Sequence, residues 1–184
     1  YINTPQTELY DKSSVVFALS EAKQAIKDNG CVVVVEGNMD AISSHQAGVK
    51  HVVAVSGTAF TELQIAQLKR FTDTLVFSFD ADAAGIMAAR RGIELALKAG
   101  MNVKVLALPF GKDPDECIKN NPEAWRQAVL NAKPMMRYYF DKTFLKLNLK
   151  DYEDQNRAEK ILLPVIARFG SKTEQDFWLK KLSQ

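Results

Sequence analysis

An α/β fold, with a mainly parallel four-stranded sheet flanked by helices and followed by an all-helical subdomain, is what this sequence predicts. Three observations carry the expectation. Short apolar runs at 31–35, 52–55, 75–79 and 102–108 alternate with helical patterns, and that alternation calls for crossover connections and parallel pairing. The runs are continuous rather than alternating, as in strands covered on both faces. After Gly111 the strand signals stop, and from Pro122 onward the remaining pattern is helical.

Taken in order, residues 1–12 contain Pro5 and lack periodicity, so they are expected to be irregular. Ser13 or Ser14 is a candidate cap for a helix reaching about Asn29, with Val16, Phe17, Leu19, Ala22, Ala25 and Ile26 as its buried side. Asn29-Gly30 stops it. Residues 31–35 form the first strand, Met39 to about Gln46 a short helix, and Val52–Val55 the second strand. Thr61 caps a helix to about Phe71, with Leu63, Ile65 and Leu68 apolar. Leu75–Phe79 is the third strand, Ala83–Lys98 an Ala- and Leu-rich helix ended by Gly100, and Asn102–Leu108 the fourth strand. A short helix begins at Asp113-Pro114-Asp115-Glu116. Helices follow at Glu123–Ala132, Pro134–Leu147, Asp154–Arg168 and Lys172–Leu182, broken at Pro134, around Asn148–Asp151 and at Gly170.

With 184 residues, 47% hydrophobic and 25% charged, the chain can build one ordinary core, or one plus an appendage. No apolar run approaches the roughly 18 residues of a membrane span, so no membrane partner is expected. The start, Tyr1-Ile2-Asn3-Thr4-Pro5, is not a signal peptide and reads as a boundary inside a longer protein. Cys31 and Cys117 make no CxxC pair, and two thiols with no secretory signal fit a reducing cytoplasm. His45 and His51 lack zinc-ligand spacing and read as surface or loop residues. Net charge is +2. Residues 121–184 carry 12 Lys/Arg against 8 Asp/Glu. That mild excess suits a polyanion near an acidic site, and equally an ordinary solvated helix surface.

The chemistry sits in the acids. Glu36 and Asp40 follow the first strand, Asp80 and Asp82 the third, and Asp113 and Asp115 the fourth. Acids at the carboxyl ends of parallel strands gather at one edge, where open α/β sheets build sites. Carboxylates crowded there repel unless cations neutralise them, and hard oxygen ligands of this kind suit Mg²⁺. Single motifs have plainer readings: Asp82 as a helix cap, Asp113-Pro114 as a helix start, Glu36-Gly37 as a strand-end turn. Gly37 is expected to allow a sharp turn and close approach of phosphate. Ser56-Gly57-Thr58, after the second strand, is either a phosphate-holding loop or a plain βα connection. It does not match the P-loop pattern.

Val34-Val35-Glu36-Gly37-Asn38-Met39-Asp40, Ser56-Gly57-Thr58-Ala59-Phe60-Thr61, Phe79-Asp80-Ala81-Asp82-Ala83-Ala84-Gly85 and Asp113-Pro114-Asp115-Glu116 resemble the Toprim domain of bacterial DnaG-type primases. Tyr1-Ile2-Asn3-Thr4-Pro5-Gln6-Thr7 is similar to the segment leading into that domain. The resemblance covers residues 1 to about 120. It implies residues 1–30 as the end of an N-terminal core lobe and linking helix, 31–120 as a Toprim metal-binding domain, and 121–184 as a helical subdomain. It further implies that Glu36, Asp80 and Asp82 bind two Mg²⁺ (or Mn²⁺) ions, with Asp40, Asp113 and Asp115 as supporting acids of the catalytic set. Tyr1, Asn3 and Lys12 match nucleotide-contacting positions, and Ser56, Gly57 and Thr58 join them.

The activity implied is that of a DNA-directed RNA polymerase making short RNA primers for replication in the cytoplasm. Its partners would be single-stranded DNA template, NTPs, RNA primer and, through a domain absent here, the replicative helicase. Asn38 departs from the aromatic residue usual at its position. The chain lacks the cysteines of a zinc ribbon, and as a fragment it is expected to bind metal while synthesising little primer alone. A Toprim nuclease or topoisomerase, or a non-catalytic nucleotide-binding assembly module, is the competing function. No Tyr is marked as a topoisomerase nucleophile, and Tyr138 and Tyr139 read as packing residues.

Overall fold

The computed structural model describes residues 7, 11–55, 60–78, 83–145, 147–148, 151–169 and 171–183, with 83–90 as backbone course only. The chain divides into two compact units, Tyr1–Ala132 and Lys133–Gln184.

In the first unit the apolar runs become strands β1 (Val32–Val35), β2 (Val52–Ala54), β3 (Thr74–Ser78) and β4 (Asn102–Leu106). They lie in the order β2-β1-β3-β4, and each of the three pairings is parallel. Val34 faces Val53 on one side and Phe77 on the other. All four residues of β1 are buried, as are Leu75 through Ser78 of β3. Burial on both faces explains why the runs are continuous.

The helices are α1 (Leu19–Asn29), α2 (Asn38–Gln46), α3 (Glu62–Lys69), α4 (Ala83–Lys98), α5 (Pro114–Asn120) and α6 (Pro122–Leu130). One core cluster joins Val33, Val35, Ala41, Val52, Ala54 and Val76 to Cys117, Trp125 and Val129. Trp125 of α6 is wholly buried there.

Two local expectations change. α1 starts at Leu19, later than Ser13 or Ser14 would set it. Those serines form a turn instead: Asp11 Oδ1 accepts from Ser13 N at 2.9 Å and from Ser13 Oγ at 2.7 Å. Short polar side chains that bond nearby backbone compete with helix in this way. The chain then runs extended, Phe17 bridges Ala54 antiparallel, and Ala18 enters the helix at φ 62°. Second, Leu63 is exposed while Gln64 is wholly buried; the buried side of α3 is Gln64, Ile65 and Leu68.

His51, expected at the surface or in a loop, lies in the loop before β2 and is buried there. Its carbonyl accepts from Val33 N at 2.8 Å, so it is tied to the sheet. His45 Nε2 lies 2.8 Å from Val52 O. Burial holds the His51 imidazole below its ordinary pKa, and the charge of His45 adds to that.

The second unit opens with a two-residue strand, β5 (Lys133–Pro134), and contains α7 (Met135–Phe144), α8 (Tyr152–Ile166) and α9 (Lys172–Leu182). Its core is Met135, Met136 and Phe140 of α7, Leu162 and Ile166 of α8, and Trp178 of α9. The Phe140 and Trp178 rings sit 5.2 Å apart. Tyr138 and Tyr139 stack edge to face at 6.3 Å. Among the described residues, no helix is long and apolar enough to cross a membrane.

Candidate metal and nucleotide site

Parallel strands end together, so β1, β2, β3 and β4 end at one edge of the sheet. Glu36 is the first residue after β1. It is half-buried, and its Oε1 is shielded from solvent. Beside it, β3 ends at Ser78, whose hydroxyl is buried with no hydrogen-bond partner among the described residues. Asp80 comes two residues later in the sequence, and Asp82 immediately precedes the first residue of α4. Asp80 and Asp82 lie outside the described residues, as do Tyr1, Asn3, Ser56, Gly57 and Thr58. Among the described residues, no group of three or more His, Cys, Asp or Glu forms a metal-binding cluster.

The supporting acids are brought together, and their contacts are with the protein itself. Asp40, in the first turn of α2, is buried. Its Oδ2 accepts the backbone N–H of Gly37 at 3.0 Å, and its Oδ1 accepts that of Asp115 at 3.1 Å. Asp115 Oδ1 accepts from Ser43 Oγ at 2.5 Å, and Asp115 Oδ2 meets Lys119 Nζ at 2.6 Å. These bonds clamp the start of α5 onto α2. The Lys119 ammonium, and after it the Ser43 hydroxyl, hold the Asp115 carboxyl below the usual carboxylate range. That stabilisation is complete above a carboxylate's unfolded pKa of about 3.9 and is lost as pH falls through the lowered folded value. Asp113 caps α5: its Oδ1 accepts from Glu116 N at 2.8 Å, with Pro114 in the first helical turn.

Gly37 has φ −98° and ψ 146°, ordinary extended backbone, so the chain bends at Glu36 without calling on a conformation reserved for glycine. Its lack of a side chain matters for another reason. A Cβ built there would stand 2.7 Å from Asp40 Oδ2. The close neighbour is the Asp40 carboxylate, and this contact fixes the backbone immediately after Glu36.

Lys12 is half-buried in the turn that precedes α1. That turn is fastened to α3 through side-chain donors that the sequence reading did not single out. Gln64 Nε2 reaches Val15 O at 2.8 Å and Lys12 O at 3.3 Å. Gln67 Nε2 reaches Ser14 O at 2.8 Å, and Thr61 Oγ1 donates to Ser13 O at 2.5 Å. The available signal was the Thr-x-x-Gln spacing at 61–64, a capping box. The structure makes both halves of it, with Gln64 N to Thr61 Oγ1 at 3.2 Å and Thr61 N to Gln64 Oε1 at 3.0 Å.

Residues 33–118 match a family described as Toprim-like. The chain is 39% identical over 185 residues to a DNA primase of Clostridium acetobutylicum, an alignment covering 100% of the chain and 30% of that relative. It also resembles the crystal structure of a DNA primase domain from Pseudomonas aeruginosa, with TM-score 0.81 and 31% identity, covering 100% of the chain and 59% of that domain. A DnaG primase catalytic domain solved bound to single-stranded DNA superposes with TM-score 0.79 at 29% identity, over 100% of the chain and 60% of the other. The chain thus spans about 30% of the length of the curated relative.

Proposed function

The chain is a Toprim-bearing segment of the DnaG-type primase catalytic core, and we propose that it supplies the metal-binding part of a nucleotidyl transfer that makes short RNA primers. In this reading 31–120 is the metal-binding domain. Glu36, Asp80 and Asp82 hold two Mg²⁺ (or Mn²⁺) ions, and NTPs meet the primer on a single-stranded DNA template in the cytoplasm. The replicative helicase is the partner of the whole primase.

The observation that carries this reading is the pairing of β1 with β3. The strands are parallel neighbours in register, Val34 opposite Phe77, so Glu36 leaves the sheet beside the strand that leads to Asp80 and Asp82. The donors suit the ions. They are hard carboxylate oxygens, the Glu36 Oε1 is already withdrawn from water, and the buried Ser78 hydroxyl leaves hydrogen-bonding capacity at the same strand end. Bound divalent ions would neutralise the gathered carboxylates and stabilise charge developing in phosphoryl transfer.

The chain's own residues do the rest. Asp40 holds the Gly37 N–H and so fixes the backbone from which Glu36 projects. From α5 the Asp115 N–H braces Asp40, Ser43 of α2 in turn donates to the Asp115 carboxylate, and Asp113 caps α5. Asp40, Asp113 and Asp115 therefore serve catalysis by holding the Glu36 turn. Lys12, with Tyr1, Asn3, Ser56, Gly57 and Thr58, is assigned to the triphosphate.

Calorimetric titration with Mn²⁺ tests the assignment. The chain should bind Mn²⁺, and Glu36→Gln, which keeps shape but removes the charge, should weaken binding at least about tenfold, the equivalent of about 1.4 kcal/mol. Equal affinity of the two proteins would remove Glu36 from the site and the polymerase reading with it.

A further inference from the structure

We propose that Gln64 is a positioning residue for the nucleotide site, holding the Lys12 turn where its cation meets the triphosphate. The inference rests on the reading of this sheet edge as a nucleotide site. Gln64 is wholly buried. Burying an amide is costly unless its donors and acceptor are bonded, and here they are. Its Oε1 accepts from Thr61 N at 3.0 Å, while Nε2 donates to Val15 O at 2.8 Å and Lys12 O at 3.3 Å.

One side chain therefore joins two places. The first is the start of α3, which follows the Ser56–Thr58 segment in the sequence. The second is the turn that carries Lys12. Thr61 and Gln67 add bonds to Ser13 O and Ser14 O, so the carbonyls of four consecutive residues, Lys12 through Val15, are all held by α3 and its cap. Asp11 closes the turn from the other end through Ser13.

A surface turn needs none of this to be solvated. Fixing four successive carbonyls removes the freedom of the backbone that bears Lys12. A lysine carried on a fixed backbone gives up less freedom on meeting an anion than one on a loose loop. α3 follows β2, whose parallel pairing with β1 sets its end at the edge where Glu36 leaves the sheet, and a cation held there would offset the charge that carboxylates and a triphosphate otherwise oppose.

The test is a double-mutant cycle on the whole 184-residue chain, with ATP as probe in saturating Mn²⁺ and Mn²⁺ alone as control. Gln64→Met, close in shape but unable to bond the turn, should weaken ATP binding about tenfold, the loss expected when such bonds go. Its affinity for Mn²⁺ alone should not change. Lys12→Gln should weaken ATP binding by a similar factor. The double variant should be no weaker than Lys12→Gln alone, because Gln64 acts through Lys12.

ATP binding unchanged in Gln64→Met overturns the proposal, and so do losses that multiply in the double variant. Should Gln64→Met fail to fold, Gln67→Met removes only the bond to Ser14 O. It should lower ATP affinity severalfold with Mn²⁺ binding intact, and unaltered ATP affinity there counts against the proposal equally. An unmodified chain that binds Mn²⁺ but no ATP sinks the nucleotide reading itself and this inference with it. A chain that binds ATP regardless of Gln64 and Gln67 sinks only the inference.

Discussion

Gly37 and Asp40 show how a residue can serve a site without touching a ligand. Asp40 spends both carboxylate oxygens on backbone N–H groups, one at Gly37 and one 75 positions on at Asp115. Gly37→Ala places a methyl 2.7 Å from Asp40 Oδ2, where no ordinary contact stands. Crowding of this kind costs about 1–3 kcal/mol. Equilibrium unfolding in urea should show that loss, and Mn²⁺ affinity should fall with it because the Glu36 backbone must shift; unchanged stability would mean that the carboxylate moves aside freely. Glu36 was legible in the sequence as an acid ending an apolar run. The bonds of Asp40 were not, because its partner Asp115 is remote in the chain and nothing local marks the pair. Gln64 was legible only as half of a capping box. Its burial depends on the turn at residues 12–15 arriving against α3.

At the scale of elements, the strands and most helices followed from local signals. Thr61 caps α3, Asn121 caps α6 and Ser171 caps α9, each accepting a backbone N–H from the first helical turn. α4 and α9 keep the bounds that periodicity gives them. The departures arise where a long-range contact overrides a local one, as at α1, which waits until Phe17 has bridged Ala54. His51, in the loop before β2, is held inside by the sheet that its carbonyl joins. Its folded pKa is lowered by burial and by His45, so below the unfolded value of about 6.5 the unfolded chain binds more protons. Stability is therefore complete above that pH and declines as pH falls toward the folded value, by no more than about 1.4 kcal/mol per pH unit for one proton. His51→Gln should flatten the profile of thermal midpoint against pH between 6.5 and 5. A slope that survives the substitution would assign the effect to other groups.

For the whole molecule, parallel pairing was readable because each apolar run is separated from the next by a helix. The order β2-β1-β3-β4 was not. It puts the first and third strands side by side, and sequence spacing does not tell neighbours from next-neighbours in a sheet. That order sets the end of β1, where Glu36 follows, beside the end of β3. It also leaves β2 as an outer strand made of Val52, Val53 and Ala54. Ala54 is shielded there by Phe17, with Phe17 N to Ala54 O at 2.9 Å and Ala54 N to Phe17 O at 3.1 Å. The stretch ahead of α1 thus works as a seal on an otherwise sticky rim. A shortened protein beginning at Ala18 would present that rim bare, inviting strand-to-strand self-association. Light scattering should then rise with concentration where the longer protein stays monodisperse, and a shortened protein that remained a monomer would show that the rim is guarded by something else.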